Sequence, residues 1–137
     1  MKRVLFLCTG NSARSQIAEA LLRHLGGDIY DVHSAGTDIS SEVNPLAIQV
    51  LKERGISIEG LYPKGLNEYA GIPFDIVITV CDSAKQSCPY FPGARQTIHW
   101  SIEDPAAYQG RYEEMLLVFR ETLEEIENRI RTSLLRP

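Results

Sequence analysis

The sequence predicts an α/β fold, a three-layer sandwich built on a four-stranded parallel sheet flanked by helices. Three observations predict it. The first apolar run, Val4-Leu5-Phe6-Leu7-Cys8, shows no polar alternation, as expected of a strand covered on both faces. The stretch that follows switches to helical spacing, with Ile17, Ala18, Leu21, Leu22 and Leu25 three or four residues apart. Short β-rich runs and helical stretches then keep alternating, and such units close through right-handed crossovers into a parallel sheet.

Taken in order, the first strand covers 4–8 and the first helix 15–25, which Gly26-Gly27 ends. A second strand is expected over 30–35. Asn44-Pro45 opens a second helix with Asn44 as N-cap and Pro45 at the first helical position. Ala47, Ile48 and Leu51 form its apolar stripe, and Gly55 closes it. The strongest strand is 74–80, and a shorter one follows over 97–100. A long amphipathic helix over 112–135 carries Leu116, Phe119, Leu123, Ile126 and Ile130 on one face, with Glu113, Glu114, Glu121, Glu124 and Glu125 on a solvated one.

Composition narrows the functional classes. The 137 residues are read as a single domain over 1–137, long enough to build a core without staples or structural metal. With 14 Lys and Arg against 18 Asp and Glu, the net charge of −4 argues against nucleic-acid or anionic-membrane partners. No apolar stretch approaches the ~18 residues of a membrane span. The start, Met1-Lys2-Arg3, precedes only five apolar residues before Thr9-Gly10, too few for a secretory leader. Three cysteines, an odd number, argue against a closed disulfide framework and for a reducing compartment. The expectation is a cytoplasmic monomer with no bound cofactor.

Ligands of parallel sheets sit beyond the carboxyl ends of the strands. Three segments follow strand ends directly: 8–14, 81–88 and 101–105. In the first, Cys8-Thr9-Gly10-Asn11-Ser12-Ala13-Arg14-Ser15 sets a cysteine and an arginine on either side of a strand-to-helix turn. Backbone N–H groups of such a loop converge, and the helix dipole adds positive potential, so the segment suits an oxyanion. The same field favours a thiolate nucleophile at Cys8. Arg14 supplies a planar fork for two oxygens of a tetrahedral anion. Gly10 permits a tight turn, and the Ser12 and Ser15 hydroxyls can donate to sulfur or to nearby carbonyls. The plainer alternative is a buried strand-end cysteine and a solvated arginine.

Cys81 ends the third strand, and Cys88 follows within Cys81-Asp82-Ser83-Ala84-Lys85-Gln86-Ser87-Cys88-Pro89. A helical segment between them would separate them by about 10 Å. A disulfide needs Cα atoms roughly 4.4–6.8 Å apart, so the pair could bond only if that segment unwinds or is a loop. Inert packing and a zinc site are the alternatives, although paired short ligand spacings for zinc are missing from the sequence. His24, His33 and His99 show no metal-like spacing. His24 falls on a helix surface, and Trp100 reads as core or pocket wall.

Cys8-X5-Arg14-Ser15 at the first strand–helix junction resembles the phosphate-binding loop of the low-molecular-weight protein tyrosine phosphatases. The longer string CTGNSARSQIAEA is still more similar to the arsenate reductases that share that fold and are recycled by thioredoxin. The likeness continues through HSAG (33–36), VNPLAI (43–48), DIVITVC (75–81), CP (88–89) and HW..EDPA (99–106).

This resemblance implies roles. The loop Thr9, Gly10, Asn11, Ser12, Ala13, Arg14 and Ser15 would bind arsenate, and Cys8 would attack arsenic. Asp104 would be the general acid, since both families carry theirs in an Asp-Pro at this point; from spacing alone Asp104-Pro105 is an ordinary turn. Cys81 would then attack Cys8, and Cys88 would pass the disulfide outward to thioredoxin as external reductant. Phosphatases of the family usually carry an aromatic residue after Asp-Pro, whereas Ala106-Ala107 stands here, which favours a small inorganic anion. Asn11, Glu19 and Ser34 match positions that hold potassium in some of the reductases. Lys64 stands where a fourth ligand, an aspartate, is found there; its ammonium would replace the cation and pair with Glu19. The alternative for Lys64 is a solvated loop residue. Ala13 also departs from relatives that carry a cysteine there.

Two other functions fit parts of the pattern. A low-molecular-weight protein tyrosine phosphatase would use Cys8, Arg14 and Asp104 alone. A redox-sensing or oxyanion-binding module would oxidise Cys8 reversibly without turnover.

Overall fold

The computed structural model describes residues 1–81 and 90–135. Its elements in order are β1 (Lys2–Cys8), α1 (Arg14–Gly26), β2 (Tyr30–Gly36), α2 (Pro45–Glu53), β3 (Phe74–Cys81), β4 (Ala94–Ser101) and α3 (Tyr112–Ser133). Two single-turn 3₁₀ helices, Leu66–Tyr69 and Pro105–Ala107, complete them. The sheet has the order β2-β1-β3-β4, and every pairing is parallel.

Alternation along the strands sorts side chains into two cores. Val4 and Phe6 of β1, Ile76, Ile78 and Val80 of β3, and Trp100 of β4 meet Ile17, Leu21 and Leu22 of α1, Leu51 of α2 and the α3 stripe. All five expected stripe residues of α3 are buried here, because a 3.6-residue period keeps them on one face. Leu5, Leu7 and Val77 point the other way, into a smaller cluster with Tyr69, Phe74 and Phe91. The 3₁₀ turn at Leu66–Tyr69 and the segment around Phe91 therefore help form the third layer.

Local signals place the helix ends well. The Asn44 side chain accepts from the Leu46 N–H at 2.8 Å, and Gly55 adopts φ 70 after α2. β4 begins at Ala94, three residues before the sequence expectation. Its extra residues Arg95 and Gln96 are exposed on an edge strand, so they carry no apolar signal, and parallel pairing with β3 recruits them. The register aligns Leu7 with Thr79 and Cys81 with Ser101. One further step along β1 puts Cys8 level with Val80, so the ends of β1, β3 and β4 open onto the same edge of the sheet. Among the described residues, no helix is long and apolar enough to cross a membrane.

Candidate active site

The turn between β1 and α1 is held from outside by the segment that follows β2. The amides of Asp38, Ser40 and Asn44 donate to the carbonyls of Thr9, Gly10 and Ser12, each at 2.9 Å. In a trans peptide the next N–H points opposite to the carbonyl. Turning those three carbonyls outward therefore aims the amides of Gly10, Asn11 and Ala13 toward the inner side of the loop. The Asn11 N–H shows this directly, lying 3.1 Å from the Cys8 sulfur. Ala13 is the N-cap of α1 and has no side chain that could cap it, which leaves the positive end of the helix to a ligand.

Cys8 carries a free thiol and is 3% exposed. Its sulfur lies 2.8 Å from the Ser15 hydroxyl, which also accepts from Asn11 Nδ2 at 2.7 Å. Asn11 has φ 49, the only non-glycine residue with positive φ among those described. The tight turn thus falls at Asn11 rather than at Gly10, where a Cβ would stand 2.9 Å from the exposed Ser40 hydroxyl, a group that can rotate aside. Ser12 donates to the Glu42 carbonyl at 3.3 Å, facing away from the sulfur.

Arg14 is buried, and its guanidinium donates to the Ile102 carbonyl at 2.9 Å, across from the loop that follows β4. This anchor sets the second guanidinium nitrogen 3.8 Å from the Asp104 carboxylate, so Cys8, Arg14 and Asp104 gather around one mouth. Asp104 is half-buried, and its side chain accepts from the Ala106 N–H at 3.0 Å, capping the 3₁₀ turn that Pro105 begins. Glu103 is exposed. Cys81 is buried at the end of β3 and is disulfide-bonded. Cys88, with its expected role as the outward carrier, lies outside the described residues.

Two supports were invisible to motif reading. Gln16 is fully buried, and its Nε2 lies 2.9 Å from the Asn11 carbonyl, 3.0 Å from Asn11 Oδ1 and 2.9 Å from the Tyr62 carbonyl. Three acceptors around one amide nitrogen fix its orientation and brace Asn11. The available signal was the polar residues Ser15, Gln16 and Glu19 set among the apolar residues of the first turns of the helix. Gly36 is the other support: a Cβ there would meet the Thr9 carbonyl oxygen at 2.5 Å.

Asn11, Glu19, Ser34 and Lys64 also come together. Lys64 is 4% exposed, which excludes a solvated loop residue. Its ammonium lies 3.3 Å from Glu19 Oε1, and its backbone N–H donates to Asn11 Oδ1 at 2.8 Å. The histidines stay apart from one another. His24 is exposed, His33 pairs with Asp31 at 3.0 Å, and His99 Nδ1 lies 2.8 Å from Thr79 Oγ1. No cluster of His, Cys, Asp and Glu suited to a metal ion occurs among the described residues. Trp100 is core, 5.9 Å from the Phe6 ring.

The arrangement defines a cysteine-based oxyanion site at the carboxyl edge of a parallel α/β sheet. The chain belongs to the low molecular weight phosphotyrosine protein phosphatase family, whose pattern residues 3–136 match. It is 40% identical over 131 residues to an arsenate reductase of Halalkalibacterium halodurans, covering 96% of this chain and 94% of that one. A solved arsenate reductase in its phosphate-binding state superposes with a TM-score of 0.81 at 31% identity, covering 96% of this chain and 95% of the other. A thioredoxin-dependent arsenate reductase of Corynebacterium glutamicum gives a TM-score of 0.67 at 33% identity. That match covers 97% of this chain but only 63% of the other.

Proposed function

We propose that this chain reduces arsenate to arsenite and is recycled by thioredoxin. The observation that carries the reading is the convergence of Cys8, Arg14 and Asp104 on one mouth, with Cys81 ending the neighbouring strand. The similarity to arsenate reductases over nearly the whole chain supports the choice of substrate.

In this mechanism, Arg14 and the inward amides hold the arsenate oxygens. The Cys8 thiolate forms a bond to arsenic as a hydroxyl leaves, and Asp104 gives that hydroxyl its proton so that it departs as water. Cys81 then attacks the Cys8 sulfur. The sulfur–sulfur bond forms while the sulfur–arsenic bond breaks, and its electron pair stays on arsenic, which leaves as arsenite. Cys88 attacks Cys81, releasing Cys8 as thiolate, and a thioredoxin dithiol reduces the resulting pair. Ala106-Ala107 after Asp104-Pro105 provide no aromatic wall for a phosphotyrosine ring.

The test is steady-state arsenate reduction with thioredoxin, thioredoxin reductase and NADPH, on wild type and on Cys88→Ser. Multiple turnovers that collapse in the variant are expected. Turnover that survives in Cys88→Ser would remove Cys88 from the relay. Hydrolysis of an aryl phosphate without any arsenate turnover would make the chain a phosphatase.

A further inference from the structure

Lys64 and Glu19 are 4% and 2% exposed, an ion pair placed where water cannot screen it. The Lys64 ammonium lies 3.3 Å from Glu19 Oε1, donates to the Tyr62 carbonyl at 2.8 Å and sits 4.6 Å from the centre of the Tyr62 ring. Its contacts thus join charge, hydrogen bond and an aromatic face. Glu19 is engaged on both oxygens: Oε1 also accepts from the Ser34 hydroxyl, and Oε2 pairs with Arg23 at 2.6 Å.

The potassium site implied by the family resemblance does not fit these residues. Potassium would need lone pairs from Asn11, Glu19 and Ser34. Glu19 already faces two cations, and Asn11 Oδ1 already accepts from Lys64 N–H and Gln16 Nε2. An added ion would stand against an ammonium in a desolvated place, where like charges repel strongly.

We propose that Lys64 is itself the resident cation beneath the oxyanion loop, a positioning residue that makes Cys8 reactivity independent of potassium. The path from ammonium to sulfur is continuous. Glu19 holds the Ser34 hydroxyl, and Asn11 Nδ2 bridges Ser34 Oγ at 3.0 Å and Ser15 Oγ at 2.7 Å. Ser15 Oγ and the Asn11 N–H both reach the Cys8 sulfur. Lys64 also grips the loop through its backbone, from N–H to Asn11 and from its carbonyl to the Gly36 N–H at 2.8 Å. Without the ammonium, the Glu19 charge would be balanced only by Arg23, whose side chain is 44% exposed, and the field at Cys8 would turn against a thiolate. The inference rests on the proposed function only in taking Cys8 as the nucleophile.

The experiment follows alkylation of Cys8 by iodoacetamide in the fully reduced chain at neutral pH, by peptide mass, together with ultraviolet thiolate absorbance. Potassium is exchanged for choline at constant ionic strength. Wild type should react equally fast in both salts. Lys64→Met should react severalfold more slowly, because the Glu19 carboxylate would then keep only the partly exposed Arg23 as its counter-charge. The double variant Lys64→Met/Glu19→Gln should recover most of that loss, because the stranded carboxylate is gone. The proposal is overturned if potassium accelerates wild type severalfold. It is equally overturned if folded Lys64→Met matches wild type, or if the double variant is as slow as the single one. Should Lys64→Met fail to fold, the salt comparison on wild type and the rate of the double variant decide. Neither arsenate nor thioredoxin enters this measurement, so a chain that fails to reduce arsenate would leave its outcome intact.

Discussion

The Cys8 sulfur lies 2.8 Å from the Ser15 hydroxyl oxygen, across the turn that carries the chain from β1 into α1. Ser15 is fully buried and is itself held by Asn11 Nδ2, so its hydroxyl is free to donate to a thiolate. Ser15→Ala should lower kcat/KM for arsenate by about 10- to 100-fold, since hydrogen bonds to charged groups contribute roughly 1.5–3 kcal/mol. Unchanged kinetics in a folded variant would show that the Asn11 amide alone suffices.

Asp104 sits 3.8 Å from Arg14, near enough to face a bound oxyanion yet half open to solvent. Asparagine keeps its shape and its cap on the Ala106 amide but cannot release a proton. Asp104→Asn should lower kcat by roughly 10²–10⁴ with little change in KM. Rapid-mixing measurement of the first turnover separates this from slow recycling, because the loss must appear before thioredoxin acts.

Gly36 lets the end of β2 pass against the loop. A methyl group there would meet the Thr9 carbonyl oxygen at 2.5 Å and the Asn11 nitrogen at 3.0 Å, both backbone atoms. Gly36→Ala should destabilise the fold by about 1–3 kcal/mol, as overpacking does, and displace the loop. Urea denaturation checks the first effect and Cys8 alkylation the second. A variant with wild-type stability would mean that the loop yields freely.

Burial, seconded by the Glu19 charge, pushes the Tyr69 hydroxyl well above the ordinary tyrosine range. The folded state therefore prefers it protonated more strongly than the unfolded chain does. Its contribution to stability is fully present below about pH 10 and is lost as pH rises toward its folded pKa. Tyr69 should therefore ionise in a late step, together with alkaline unfolding. In Tyr69→Phe that late step should vanish from a spectrophotometric titration; its persistence would assign it to another tyrosine.

Much of this protein is determined by short-range pattern. The uninterrupted run at Val4 to Cys8, the Asn44-Pro45 helix start and the five-residue stripe of α3 follow from periods and caps that involve neighbours a few residues apart. The spacing of Cys8 and Arg14 across one turn, and an acid in Asp104-Pro105, were legible for the same reason or by resemblance.

Tertiary structure decided what distant segments must settle together. The strand order β2-β1-β3-β4 brings the ends of β1, β3 and β4 to one edge, and the pairing of β4 extends through exposed polar residues that hydropathy alone leaves as loop. Arg14 reaches the Ile102 carbonyl, 88 positions away, and that contact aims it at Asp104. Motif reading gives Gln16 no role, and the pairing of Lys64 with Glu19 was legible only by resemblance, yet the fold buries all three. A charge can leave water only where a partner meets it, and here the partner lies 45 residues along the chain. Sequence by itself determined which groups could do the chemistry; only the folded chain determined which of them face one another.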